Sequence, residues 1–268
     1  MEKPTRFTLS TFPRQLIKWL YPPRCVLCQQ PGMNNEPDLN IKPGLNIESG
    51  LNNMDICAHC YRHLPWNRVC CVQCALPLAS KNAQDVLCGR CLTQPPAYDA
   101  IHSLFRYEAA IIAMVHQFKF HQRLLYARLF GTMMAAELKR IIRQTQQKPD
   151  CIIPVPLHAS RIRQRGFNQS AELAKILSRQ LQIPLDTVSV KRVRKTTTQT
   201  GLKAKQRRQN IKGAFALQKP LAAEHILLVD DVVTTGSTVN ELARLLKRER
   251  NRSVYKRLRV DVISIARA

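Results

Sequence analysis

Residues 227–238 read LLVDDVVTTGST: an apolar run ends in two adjacent carboxylates, and hydroxyls, a glycine and a helical pattern follow. Such a pattern joins a strand to a helix N-terminus, where unpaired backbone amides point outward and the helix dipole favours an anion. Gly236 lets the backbone curve tightly, and Thr234, Thr235, Ser237 and Thr238 add hydroxyl donors. These residues make a phosphate cradle. It is not a Walker A loop, because no lysine follows the glycine, and no G-x-G-x-x-G for a dinucleotide occurs. Asp230 and Asp231 do something different. A carboxylate only accepts hydrogen bonds, so beside a phosphate the pair suits vicinal hydroxyls of a sugar. An arbitrary Asp-Asp is more often a cap for the next turn; the whole string favours a ribose 5-phosphate site.

A second chemistry lies in the cysteines. Eight of ten fall into Cys-x-x-Cys pairs: Cys25/Cys28, Cys57/Cys60, Cys71/Cys74 and Cys88/Cys91. Two intervening residues let both sulfurs turn toward one ion, and two such knuckles complete a tetrahedral four-thiolate site. Four pairs within 67 residues predict two structural zinc sites. Disulfides are the alternative, but no secretory signal is present, which implies a reducing compartment. Sequential pairing (25/28 with 57/60, 71/74 with 88/91) is the simplest arrangement, and spacing leaves interleaving open. Cys70 could substitute for Cys71, while Cys151 opens the apolar run CIIPVP and reads as a small core residue.

The elements that must position these residues follow from periodicity. Residues 98–107 alternate as a strand; 108–120 and 124–144 have helical spacing, mildly broken at Gly131. CIIPVP, GAFAL, HILLVD and LRVDVISIA read as short buried strands, separated by a helix from Asn168 to Gln180 and another over STVNELARLLKRE. Apolar strands alternating with helices predict a parallel sheet covered on both faces, whose ligands sit at the strands' carboxyl ends. Asp230 and Asp231 stand at one such end. The expected organisation is an amphipathic extension (1–23), a double zinc-ribbon domain (24–94), a QPP linker and an α/β domain (98–268). Between the first two knuckles, Leu39 to Met54 nearly triplicates a six-residue unit, read as an expanded surface loop.

At 45% hydrophobic residues the chain supports a real core, yet no apolar run reaches the roughly 20 residues a membrane span needs. A short amphipathic helix over 12–20, stopped by Pro22 and Pro23, suits packing on the adjacent domain or peripheral contact with an anionic membrane. The expected location is the cytoplasm, with contact at the inner membrane. The net charge of +24 concentrates in the second half, where Lys191–Lys212 holds nine basic residues and no acidic one. Such runs serve as solvated faces or as the footprint of a polyanion such as single-stranded DNA.

The stretch LLVDDVVTTGST, with Ile226 before it, resembles the phosphoribosyl-pyrophosphate (PRPP) motif of type I phosphoribosyltransferases. More narrowly, the chain is similar to the ComF family, which takes in ComFC and GntX-like proteins. The resemblance covers nearly the full length: the cysteine knuckles, HQFKFHQR, PVPLHASRIRQRGFNQS, TTTQTGLKAKQRRQNIKGAF and the PRPP motif. RGFNQS together with TQTGL and GAF is specific to that family.

The resemblance implies a phosphoribosyltransferase-like α/β domain after the zinc ribbons, with Asp230 and Asp231 on the ribose hydroxyls and residues 234–238 on the 5-phosphate. The loop from Pro156 to Arg161 would face pyrophosphate, with Arg161 and Arg165 matching its charge. Asn168 and Gln169 would either orient that loop or start the next helix. Segment 196–212 would close over the substrate, and magnesium would bridge ribose and pyrophosphate oxygens. Departures from the family are the 33–54 insertion and KRERNRSVYKRLR before the last strand. Two functions follow as expectations. One is a transferase displacing pyrophosphate from PRPP or a related sugar phosphate; it has no glutaminase nucleophile, because zinc accounts for the cysteines. The other is a single-stranded DNA-binding competence protein, serving DNA utilisation or DNA-uptake machinery at the inner face of the membrane, in which the PRPP pocket is regulatory or vestigial.

Overall fold

Four apolar strands, β1 (Ala100–Arg106), β2 (Cys151–Pro154), β5 (His225–Val233) and β6 (Arg259–Arg267), form one parallel sheet in the order β1-β6-β5-β2. Residues 226–229 of β5 and 262–266 of β6 are fully shielded from solvent, as parallel strands covered on both faces must be. Leu228 pairs with Val262 and Asp230 with Ser264, so the carboxylates lie past the midpoint of β5, toward the strands' carboxyl ends. The computed structural model describes residues 24–31, 55–79, 86–120, 124–195, 211–250 and 258–268. The expected helix at 12–20, the 33–54 insertion, most of the 196–212 segment and residues 251–257 of the altered turn lie outside them.

One face of the sheet carries α4 (Leu124–Thr145) and α6 (Gln169–Leu181), which pack on each other and on the strands. Gly131 does not break α4. A Cβ there would sit 2.9 Å from the Ile176 side chain of α6, so the glycine admits the neighbouring helix. Against the other face pack α7 (Ser237–Arg250) and the second group of cysteines, through Val239, Leu242 and Leu246 with Ile226, Leu228 and Val262. GAFAL does not join the parallel sheet: its residues Phe215–Leu217 are β4, antiparallel to β3 (Val190–Arg192) in a separate ribbon. Its short apolar run matched a buried strand in composition, and periodicity carries no information on partner or direction.

The chain divides into two compact units, Met1–His63 and Leu64–Ala268. That boundary falls inside the expected 24–94 ribbon, because the second cysteine group shares a core with the sheet. Among the described residues, no helix is long and apolar enough to cross a membrane.

Candidate functional site

The bend after β5 has the expected parts. Thr234, Thr235 and Gly236 form the turn, and Ser237 and Thr238 begin α7. Gly236 adopts φ +73°, a left-handed conformation that a side chain would strain. The Thr235 and Ser237 hydroxyls hydrogen-bond at 2.8 Å, and the Ser237 amide donates to Thr235 Oγ1. A hollow of about 30 Å³ is lined by Asp230 and residues 232–239, room for a compact anion at the start of a helix.

The two carboxylates are held differently. Asp230 Oδ1 accepts the Asp231 amide at 2.9 Å and the Ser170 hydroxyl at 3.3 Å. Burial, and after it the Asp231 charge, raise Asp230 from the ordinary carboxylate range to about 7, against the opposing pull of the Asp231 amide, Lys119 and Ser170. Asp231 accepts the Val232 amide at Oδ1, and its Oδ2 pairs with Lys119 Nζ at 2.9 Å. Each aspartate therefore does take the next amide, as a turn cap would, but each also addresses a group from a distant helix.

Arg161 and Arg165 lie on a helix, α5 (Ala159–Arg165), capped by the His158 side chain; the expected loop reaches only to residue 158. Arg165 donates to Gln169 Oε1 at 3.3 Å and lies over the Phe120 ring at 5.4 Å. Burial lowers its guanidinium pKa, with Asp231 supporting the charge and Arg161 opposing it, so these three groups share one field. Asn168 serves both roles left open for it. Its Oδ1 caps α6 through the Ser170 amide, and its Nδ2 donates to the Val155 carbonyl at 3.1 Å, anchoring the loop after β2. Gln169 is buried and links Arg165 to the Lys119 carbonyl, acting as a brace.

Four contributors had no assigned role. Lys119, near the end of α3 (Ala110–Phe120), neutralises Asp231, and its only sequence signal is its place in HQFKFHQR. Ser170 reaches Asp230. Arg192 on β3 lies in the field of Asp230 and Arg161. Arg267, only 4% exposed at the end of β6, donates to the carbonyls of Cys74 and Val233 at 2.9 and 3.2 Å and also to Thr234 and Ala268. No motif marks it.

The cysteines assemble sequentially: Cys25, Cys28, Cys57 and Cys60 in one group, Cys71, Cys74, Cys88 and Cys91 in the other, with all sulfurs of a group within 4.8 Å. Sulfur separations of 3.8 Å (Cys28–Cys57) and 3.6 Å (Cys74–Cys88) fit the edge of about 3.8 Å expected for a tetrahedron with Zn–S near 2.3 Å. Burial works to raise these thiols; amide donors outweigh it at Cys25 and Cys71 and lower both to about 7, whereas Cys57, Cys60, Cys74 and Cys91 are raised by it. Cys70 and Cys151 belong to neither group, and burial pushes both thiols up to about 11.

Residues 132–255 match the phosphoribosyl transferase domain family. The DNA utilization protein YhgH of Escherichia coli O157:H7 is 41% identical over 194 residues, spanning 72% of this chain and 84% of that protein. The chain belongs to the ComF family. Competence protein F of Haemophilus influenzae is 41% identical over 165 residues (60% of this chain, 72% of that one), and Competence protein ComFC of Streptococcus pneumoniae is 26% identical over 146 (54% and 60%). The matched phosphoribosyl transferase domain takes in strands β2 to β5 of the fold, and the two cysteine groups precede it in the chain.

Proposed function

We propose that this ComF-family chain binds PRPP with Mg²⁺ and transfers its phosphoribosyl group to an acceptor nucleophile. The observation that carries the reading is the Asp230–Asp231 pair beside the bend 234–238 at the start of α7. The bend takes the 5-phosphate and the carboxylates take the ribose hydroxyls; Mg²⁺ arriving with PRPP would lie beside Asp230 and Asp231 and would offset the pyrophosphate charge. As the acceptor lone pair bonds to the anomeric carbon, the bond to pyrophosphate breaks, and Arg161 and Arg165 stabilise the departing charge. Both cysteine groups hold structural zinc.

Calorimetry with PRPP and Mg²⁺ tests this. Wild type binds, and Asp231→Asn weakens binding about 100-fold or more, roughly 2.7 kcal/mol. An absence of wild-type binding removes the enzymatic reading. Affinity also rises with pH through about 7, as Asp230 ionises and becomes a pure acceptor. Folding stability moves the opposite way. A carboxyl whose folded pKa is raised keeps its proton better in the native state, so stability declines as pH climbs from about 4 through about 7. Asp230→Asn abolishes both trends.

A second property is favoured by the +24 charge and by relatives named for DNA utilization and competence. The chain binds single-stranded DNA and acts in DNA uptake or utilization, in the cytoplasm with the uptake machinery at the inner face of the membrane. Anisotropy titration over a salt series gives a steep loss of affinity with salt; no binding at low salt overturns it.

A further inference from the structure

One cavity lined by described residues does not include the Asp230–Asp231 pair. It is a cleft of about 320 Å³ that the second cysteine group and the segment 94–98 share with Thr234–Ser237 and α7. That volume is at the small end of ligand pockets, close to one nucleotide. Its lining combines an apolar surface, Pro95, Pro96 and Tyr98, with the amides of Gln94 and Asn240. Four charged side chains line it, and two are committed elsewhere. Glu241 accepts the Gly213 amide at 2.8 Å, and buried Arg267 is taken up by backbone carbonyls. Arg90 and Arg244 are exposed, and Arg244 has no ion-pair partner among the described residues. The cleft therefore offers two guanidinium groups to an anion, beside flat apolar walls.

The same four residues, 234–237, line both this cleft and the small hollow beside Asp230. Two arginines join the cleft to that bend. Arg90 donates to the Thr235 carbonyl at 3.2 Å, and Arg267 connects the Cys74 carbonyl with those of Val233 and Thr234. Tyr98, in the cleft lining, places its hydroxyl 3.3 Å from where a Cβ on Gly236 would be, so the bend is buttressed from this side.

We propose that the cleft is a second ligand site. It takes one phosphate-bearing nucleotide unit, with the phosphate on Arg90 and Arg244 and the base against Pro95 and Pro96, and it couples that ligand to the 5-phosphate bend. The coupling rests on the phosphoribosyl reading; the binding does not. Free mononucleotide and single-stranded DNA present the same chemistry, so the test uses thymidine monophosphate and a short labelled thymidine oligonucleotide as separate probes. Arg244→Glu is compared with Arg179→Glu, an exposed α6 position that changes net charge equally. Expected is a loss of about tenfold or more for Arg244→Glu and less than about threefold for Arg179→Glu. In wild type, the bound probe shifts PRPP affinity about fivefold or more, by the reciprocity of coupled sites, and Arg244→Glu reduces that shift. A response to the mononucleotide alone assigns the cleft to free nucleotides, and a response to the oligonucleotide assigns it to DNA. Equal losses in both variants, or no binding of either probe to wild type, overturn the site whether or not PRPP binds. If the probes bind through Arg244 while PRPP does not bind at all, the site stands and the phosphoribosyl reading falls.

Discussion

The two cysteine groups are built on one plan and placed in different surroundings. In each, the first knuckle closes through the same bonds: Gln29 N–H to Cys25 O and Cys25 N–H to Gln30 O in one, Ala75 N–H to Cys71 O and Cys71 N–H to Leu76 O in the other. In each, the residue after the second cysteine is left-handed, Gln29 at φ +61° and Ala75 at φ +54°. The third cysteine precedes a short helix, α1 (Ala58–Arg62) or α2 (Gly89–Thr93), and its amide donates to the first cysteine's sulfur at 3.4 and 3.3 Å. Burial separates them. Cys71, Cys74, Cys88 and Cys91 are all buried in the core that contains Ile101 and Val233, whereas in the first group only Cys25 is buried and Cys28 is exposed. The second group is also bonded into the sheet, through the Ile101 amide to Gln73 O at 2.8 Å and Arg267 to Cys74 O. One four-cysteine plan thus stands as a local cluster in the first unit and as part of the core behind the parallel sheet in the second.

The largest expected effect tests that division. A structural zinc site contributes about 10–16 kcal/mol, comparable to a domain's whole stability of about 5–15 kcal/mol. Cys91→Ser should therefore abolish the cooperative thermal transition of the second unit and with it PRPP binding. Cys60→Ser should leave that transition within about 2 °C, because a perturbation confined to the first unit carries little of the second's unfolding entropy. Equal damage from both variants, read by differential scanning calorimetry, would show that burial does not divide the groups. A smaller contrast is kinetic. With a chromogenic chelator, zinc should leave in two phases of equal amplitude, the faster from the exposed group, and Cys60→Ser should delete the faster phase only. Acidification speeds both, since each thiolate must be protonated on release.

Much of this was legible in the chain. The spacing of eight cysteines identified both groups, and LLVDDVVTTGST marked the bend because hydroxyls, glycine and carboxylates concentrate in twelve consecutive residues. What stayed hidden depends on packing between distant segments. Lys119 meets Asp231 across 112 positions, and Arg267 meets Cys74 across 193, so no local pattern announces either. The unequal burial of the cysteine groups was equally invisible. The same Cys-x-x-Cys text gives the same knuckle, and only the sheet behind the second one makes it core. Arg161 sits on a helix and not in the loop that its sequence suggests for a local reason: His158 caps that helix through its ring nitrogen, and histidine is outside the usual capping set.

The smallest effect sharpens the comparison most, because it separates backbone strain from burial at equivalent positions. Gln29 and Ala75 both hold a left-handed conformation that costs a side-chain-bearing residue about 1 kcal/mol or more. Replacing exposed Gln29 with glycine relieves that strain without loss of buried surface, so Gln29→Gly should stabilise the first group by about 0.5–1 kcal/mol. Ala75 is 1% exposed, and its methyl group is worth about 0.8 kcal/mol when buried. Relief and loss nearly cancel there, and Ala75→Gly should change stability by less than about 0.5 kcal/mol. Zinc-competition titration of the two variants reads the difference directly. If Gln29→Gly gains nothing, the left-handed turn is held without strain, and the groups differ by burial alone.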